Sequence, residues 1–169
     1  MARVTGGRKL KAFLRRARSA QARSKSVAVG FFSTAKYPDG TPVAAVAAWN
    51  EFGTEWDGRQ HVPERPFFRN AIANADEDIM PVLIDGGIDP KDMALDRITA
   101  GKVGLAMQAR IQRSITTLQE PENAEITVKG GWMRSKTGKL IYIKGKKSTN
   151  PLIATGFMRQ STTFVVEDD

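Results

Sequence analysis

Tyr37-Pro-Asp-Gly-Thr-Pro-Val-Ala-Ala-Val-Ala-Ala-Trp-Asn-Glu-Phe-Gly-Thr54 is the stretch from which the local architecture can be read. Pro38 sets φ and Gly40 tolerates positive φ, so Tyr37–Gly40 reads as a turn. Thr41 and Pro42 have the residue types of an N-cap and a first helical position, which predicts a helix over Val43–Phe52. Ala44, Ala45, Ala47 and Ala48 keep that helix slim enough for close packing, and Gly53 is placed to end it.

Working outward to the N-terminus, Arg8–Arg23 reads as an amphipathic helix that starts after Gly6 and Gly7. Leu10, Phe13, Leu14 and Ala17 share one face at i, i+3, i+4 and i+7. Arg8, Lys9, Lys11, Arg15, Arg16 and Arg18 crowd the others, and their mutual repulsion means that the helix needs a partner for its apolar face. Ser26–Phe32 alternates as a strand, with Val27, Val29 and Phe31 on one side. Towards the C-terminus, residues 54–66 read as a polar loop containing Pro63 and Pro66. Phe67–Ala75 regains helical character and can continue towards Leu83; Asp85-Gly-Gly87 with Pro90 is the clearest break. A long helix is expected from about Lys91 to Thr117, with Met93, Ile98, Val103, Leu105, Met107 and Ile111 as core positions.

Residues 119–125 read as a polar linker. Ile126–Lys129 and Leu140–Ile143 read as strands, joined through the turn residues Lys136-Thr-Gly-Lys139 into a β-hairpin. A basic loop at 144–151, a helical turn at Thr155–Gln160 and a closing strand at Thr162–Val166 complete the chain. The order points to an α+β fold: a small, mainly antiparallel sheet packed against helices, with a long basic N-terminal helix and a β-hairpin insertion. The expected organisation is a single domain over 1–169, made of a basic helical arm at 1–25, a core at 26–166 and a frayed tail at 167–169.

The 169 residues are enough for a core without covalent staples. The absence of cysteine excludes disulfides, iron–sulfur clusters and thiol catalysis, and suits synthesis in a reducing cytoplasm. No signal peptide is read, and the longest mostly apolar run, near Val43–Trp49, is far below the roughly 18 residues that cross a bilayer. Net charge is +8 but segregated: +10 over residues 1–38, −7 over 39–125 and +5 over 126–169. Such a layout suits docking to an acidic surface or nearness to nucleic acid.

Catalytic and cofactor chemistry finds little material. His61 is the single histidine, so a metal site would have to be built from carboxylates, and no metal or cofactor is expected. Gly131 with Gly138-Lys139 has the wrong spacing for a phosphate loop, Leu140 stands where Ser or Thr would hold magnesium, and Gly145-Lys-Lys147 lacks the upstream glycine. Glu51 with Glu55, and Asp92 with Asp96, share helix faces at i, i+4 and read as solvated surface. Ser114 and Ser161 have no base partner, so an enzyme is not expected. Nucleic-acid binding is the more serious alternative. The basic helix and Lys129–Lys147 can neutralise phosphates, and Trp132 and Tyr142 can stack on bases. The blander reading pairs Trp132 and Tyr142 across the hairpin.

Two stretches are more distinctive: Val43–Thr54 followed by Val62-Pro-Glu-Arg-Pro-Phe-Phe-Arg69, and Asn150-Pro-Leu-Ile-Ala-Thr-Gly-Phe-Met-Arg-Gln-Ser161. In order and spacing, Asn50–Thr54, Val62–Arg69 and Pro151–Ser161 resemble the neck and tail-completion proteins of long-tailed bacteriophages, including minor tail proteins of the Z type. The likeness covers 43–75 and 150–166. It implies a non-enzymatic virion part at the head-proximal end of the tail or at the neck, built as a homo-oligomer, commonly a hexameric ring around the DNA channel. Its implied partners are copies of itself and the tail terminator, tail tube or head-completion protein, with no membrane. The residues implied to shape the scaffold and its interfaces are Trp49, Asn50, Glu51, Phe52, Gly53, Thr54, Pro63, Arg65, Pro66, Phe67, Phe68, Arg69, Pro151, Leu152, Thr155 and Gly156. Gly53 would end the helix, Glu51 and Thr54 would bond nearby backbone, and Pro63 and Pro66 would deliver Phe67 and Phe68 into the core. Arg65 and Arg69 would pair with Glu51 or Glu64. Contacts to channel DNA or an acidic partner would fall to Arg8, Lys9, Lys11, Arg15, Arg16, Lys144, Lys146 and Lys147.

Overall fold

A computed structural model describes residues 7–21, 24–56, 58–86, 94–135, 137–146 and 148–167. The elements are α1 (Gly7–Gln21), β1 (Ser26–Gly30), α2 (Val43–Phe52), β2 (Thr54–Trp56), β3 (Arg59–Val62), α3 (Phe67–Ala73), α4 (Asp76–Asp85), α5 (Arg97–Thr117), α6 (Glu125–Lys129), β4 (Gly130–Arg134), β5 (Leu140–Lys144), α7 (Phe157–Gln160) and β6 (Thr163–Glu167). The fold is α+β. In place of one sheet, the strands form three separate pairs, β1–β6, β2–β3 and β4–β5; the last two are antiparallel. Among the described residues no helix is long and apolar enough to cross a membrane.

The chain divides into two compact units, each assembled from distant segments. The first takes Met1–Val29, Ala75–Gln108 and Phe164–Asp169; the second takes Gly30–Asn74 and Ala109–Thr163. Helix α5 contributes its first half to one and its second half to the other.

In the first unit, acids stand at the N-termini of α4 and α5. Asp76, Glu77 and Asp78 fill the first turn of α4, where a helix dipole favours negative charge. Asp96 precedes α5: its Oδ1 accepts from the Ile98 and Thr99 amides at 2.8 and 2.9 Å, and its Oδ2 accepts from Thr99 Oγ1 at 3.0 Å. This cap sets the described start of α5 at Arg97, while residues 91–93, including Met93, lie outside the described residues, as do Gly87, Pro90 and Asp92. The buried positions of the first unit include Ala75, Thr99 and Ala100, with Gly104 facing the Phe164 ring. The α5 core is therefore phased differently from the expectation. Ile98 is 76% and Leu105 60% exposed, Val103 and Met107 are partly buried, and Ala100, Ile111 and Ile115 are buried. Ala and Gly at the tight positions let neighbours approach, so the larger Ile98 and Leu105 are left on the outer face.

The second unit packs α2, α3 and the second half of α5 around Val43, Ala47, Phe67, Ala71, Ile111 and Ile115, with Leu152 and Met158 added from the C-terminal stretch. Several expectations are corrected here. Residues 54–66 are not a plain loop: β2 and β3 pair as an antiparallel hairpin, and Gly58 before β3 has φ +66. Ile126–Lys129 lies in helix α6, and the hairpin's first strand is Gly130–Arg134. Phe67–Leu83 is not continuous, since α3 ends at Ala73 and α4 begins at Asp76. Pro42 occupies the N-cap of α2, with no side-chain cap from Thr41; Asp39 Oδ1 accepts from the Thr41 amide instead, at 2.9 Å. Glu167 belongs to β6, and Asp168 and Asp169 lie outside the described residues.

Two pairs of measurements test this packing. A Cβ at Gly104 would stand 2.3 Å from the Phe164 ring, whereas one at Gly101 meets nothing within 4 Å. Gly104→Ala is expected to destabilise by about 1–3 kcal/mol and Gly101→Ala to stabilise by about 0.5–1 kcal/mol in urea unfolding. Thr99 and Ile98 hold the Asp96 carboxyl below its ordinary pKa, first through the Thr99 amide and hydroxyl. A depressed carboxyl contributes stability above its unfolded pKa and loses it as pH falls through the folded value. Asp96→Ala should therefore lower the melting temperature at neutral pH, and the gap from the parent should narrow in acid.

Candidate functional site

Glu51 sits on the last turn of α2 and is 5% exposed. Its carboxylate reaches the N-terminus of α3, where Oε2 accepts from the Phe68 amide at 2.8 Å and Oε1 from the Arg69 amide at 3.1 Å. Pro66 stands at the N-cap of that helix and offers no side-chain cap, so Glu51 supplies the missing acceptors from a different helix. The same carboxylate holds Arg69, whose Nε donates at 2.8 Å, while its Nη2 donates to the Glu51 carbonyl at 2.9 Å and to Glu64 Oε1. Bonds to Glu51 and then Glu64 raise the Arg69 pKa. Its guanidinium also lies 5.4 Å from the centroid of the Phe52 ring. The expectation that Glu51 and Glu55 form a solvated pair is thus overturned: Glu51 is internal, and Glu55 is on β2.

Arg65, 4% exposed, takes a different partner set from the carboxylates expected of it. Its amide donates to the Asn50 carbonyl at 2.7 Å. Its Nε donates to the Pro121 carbonyl at 2.9 Å, Nη1 to Asn50 Oδ1 at 3.3 Å, and Nη2 to the Glu122 carbonyl at 3.2 Å and Asn123 Oδ1 at 3.5 Å. A guanidinium has five N–H groups in a fixed fork, which is what lets one side chain tie α2 to a loop more than fifty residues away. Burial without a facing carboxylate lowers the Arg65 pKa.

The two signature stretches meet. Val46 and Asn50 on α2 face Pro151, Leu152, Phe157 and Met158 across a small cavity of about 150 Å³. Tyr37 and Phe157 pack with ring centroids 5.1 Å apart. Asn150 organises the second stretch: Oδ1 accepts from the Leu152 and Ile153 amides at 3.0 Å each, and Nδ2 donates to the Thr116 carbonyl at 2.8 Å. Lys146 Nζ donates to the Asn150 and Pro151 carbonyls at 2.7 and 3.1 Å. Burial, then the Arg65 charge, lowers its pKa. Of the cations assigned to outside contacts, Lys146 is therefore directed inward. Lys9, Lys11, Arg15 and Lys144 are exposed. The side chains of Arg8 and Arg16, and Lys147 altogether, lie outside the described residues.

The remaining motif residues act as local shape. Gly53 has φ +70 at the end of α2, and a Cβ there would stand 2.9 Å from the Val62 carbonyl oxygen. Thr54 Oγ1 accepts from the Val62 amide at 3.2 Å, Phe67 is buried, and Phe68 is half-buried against Gly30. Pro63 is partly buried, Gly156 is left-handed before α7, and Thr155 Oγ1 accepts from the Phe157 amide at 3.3 Å. Trp49 borders an open cleft of about 750 Å³ with His61, Arg65, Asn123 and Lys146; Glu51 and Glu64 do not line it. Ser114 Oγ donates to the Phe67 carbonyl at 2.7 Å. Among the described residues no group of three His, Asp or Glu side chains is placed to hold a metal, and no buried side-chain polar atom lacks a partner. Sequence reasoning missed Pro121–Asn123 and Asn150 as partners, since backbone carbonyls and an Asx turn carry no distinctive side-chain signature. It also missed the β2–β3 hairpin, although Asp57-Gly58 is a known hairpin signal.

No protein-family model, curated protein or solved structure matches the chain.

The geometry makes the polar cluster a stability element. Glu51→Ala leaves two helix amides without their acceptor and is expected to cost about 2–3 kcal/mol in chemical unfolding. Arg65→Ala should cost a similar amount, and Arg65→Lys should recover less than half of it, because an ammonium keeps the charge but not the fork. A loss under about 0.5 kcal/mol for either alanine variant would contradict this account.

Proposed function

We propose that the chain is a non-enzymatic structural protein of a long-tailed bacteriophage virion, acting at the head-proximal end of the tail or at the neck. It assembles in the host cytoplasm, self-associates as a hexameric ring, and docks to neighbouring components such as the tail terminator, tail tube or head-completion protein. A basic N-terminal helical arm and the β4–β5 hairpin are the parts offered to neighbours or to channel DNA. The observation that carries this reading is the division of labour among side chains. Glu51, Arg65, Arg69 and Asn150, from the stretches that resemble the neck and tail-completion proteins, are committed to holding their own backbone. Large apolar residues meanwhile stand exposed on several elements: Leu10 and Phe13, Met80 and Ile84, Ile98 and Leu105. Leu10 and Phe13, and Met80 and Ile84, are each neighbours one turn apart on a helix face, and contiguous exposed apolar faces of this kind mark interaction sites.

A second reading, DNA binding, draws on the hairpin. Trp132 and Tyr142 are directly paired, T-shaped at 5.3 Å between centroids, and both rings are more than half exposed. Arg134 and Lys144 lie on the same face of the two strands. This arrangement can stack on bases and neutralise phosphate.

Deletion of the gene from a phage that carries it should yield DNA-filled heads and tails that do not join, or tails of abnormal form, seen by electron microscopy. Normal infectious particles would remove the virion reading. The DNA reading expects submicromolar duplex binding that weakens steeply with salt and is lost in Trp132→Ala/Lys144→Ala; no shift at about 50 mM salt removes it.

A further inference from the structure

The first unit carries two exposed apolar surfaces of opposite charge. On α1, Leu10, Phe13 and Leu14 form an exposed stripe, and the helix sequence holds six Lys and Arg and no acid. On α4, Met80 and Ile84 are exposed one turn apart, and Asp76, Glu77 and Asp78 begin the helix while Asp85 ends it. On the adjoining α5, Ile98 and Leu105 are exposed on either side of Lys102, whose Nζ binds Asp85 Oδ2 at 3.0 Å. Both surfaces belong to one compact unit, and both are uncovered, so neither covers the other within a chain.

We infer that α1 of one copy docks on the α4–α5 face of a second copy. The occupant is specified by complementarity: a stripe of Leu, Phe and Leu meets Met and Ile, and a helix whose sequence is basic throughout meets the acidic first turn of α4, Asp76, Glu77 and Asp78. Contacts of this kind gain rate and specificity from charge and affinity from the apolar centre. Donor and acceptor are different surfaces, so the contact is head-to-tail, and repeated copies close as a ring or run on as a filament. The inference rests on the self-association in the proposed function and names the surface that carries it.

The test uses purified full-length protein. The chain has no cysteine, so single cysteines report on neighbours alone. A Leu14→Cys copy mixed with an Ile84→Cys copy and oxidised should give a cross-linked pair containing one of each. Phe13→Ser and Ile84→Ser should each raise the dissociation constant on the order of tenfold or more in sedimentation. Mixed together, the two serine variants should form dimers and nothing larger, because only one intact contact remains. Three results would each overturn the inference: Leu14→Cys cross-linking chiefly to itself, a Leu14→Cys/Ile84→Cys chain closing within one copy, or a parent protein that stays monomeric at every concentration. A monomeric protein that a phage still requires removes this interface and leaves the virion reading standing. An associating protein that the phage can lose without effect does the reverse.

Discussion

The Glu51 carboxylate is the constraint on which the second unit turns. A helix begins with amides that have no partner of their own, and α3 begins with a proline that brings no acceptor. Glu51 answers that shortage from the end of α2, and once in place it needs a cation, which Arg69 supplies. The result is a reciprocal arrangement: the acid satisfies the helix terminus, and the helix terminus with its arginine makes the buried acid tolerable. A buried charge with one partner removed costs far more than an exposed ion pair contributes, so this cluster outweighs the exposed Lys129–Glu125 contact.

Arg65 extends the same logic to the other side of α2. It faces carbonyls rather than a carboxylate, so its charge is spread over the Pro121 and Glu122 peptide groups and two asparagine side chains. Lys146 does likewise with Asn150 and Pro151. Arg65 thereby ties the 121–123 loop to α2, and Lys146 closes its own loop onto Asn150 and Pro151, in a region whose described strands occur only in pairs. Glu51, Arg65, Arg69, Lys146 and Asn150 are all occupied in this work.

The outer surfaces follow a different rule. Where α5 carries Ala100 and Gly104, neighbours approach closely, and the bulky Ile98 and Leu105 are displaced outward. The hairpin keeps Trp132 and Tyr142 against each other with both rings still half in water. Apolar area is thus left on the outer faces of these elements rather than in the core.

Sequence alone determined the features that depend on local rules. The α2 boundaries followed from Pro42 and Gly53, the end of α4 at Asp85 from the glycine after it, and a β-hairpin turning at Gly138 from its turn residues, although its first strand begins later than the sequence suggests and the Trp132–Tyr142 pairing is one of two readings the sequence allows. The α+β class followed from the mixture of periodicities. Tertiary structure alone decided which partner each charge takes, because an acceptor such as the Pro121 carbonyl is the same in every residue and its position is set by the fold. It also decided which face of α5 is buried: Ile98 and Leu105 have the right type for a core, but the first half of the helix turns Ala100 and Gly104 inward, where steric room rather than hydrophobicity is the scarce quantity, while Ile111 and Ile115 fill the core of the second half.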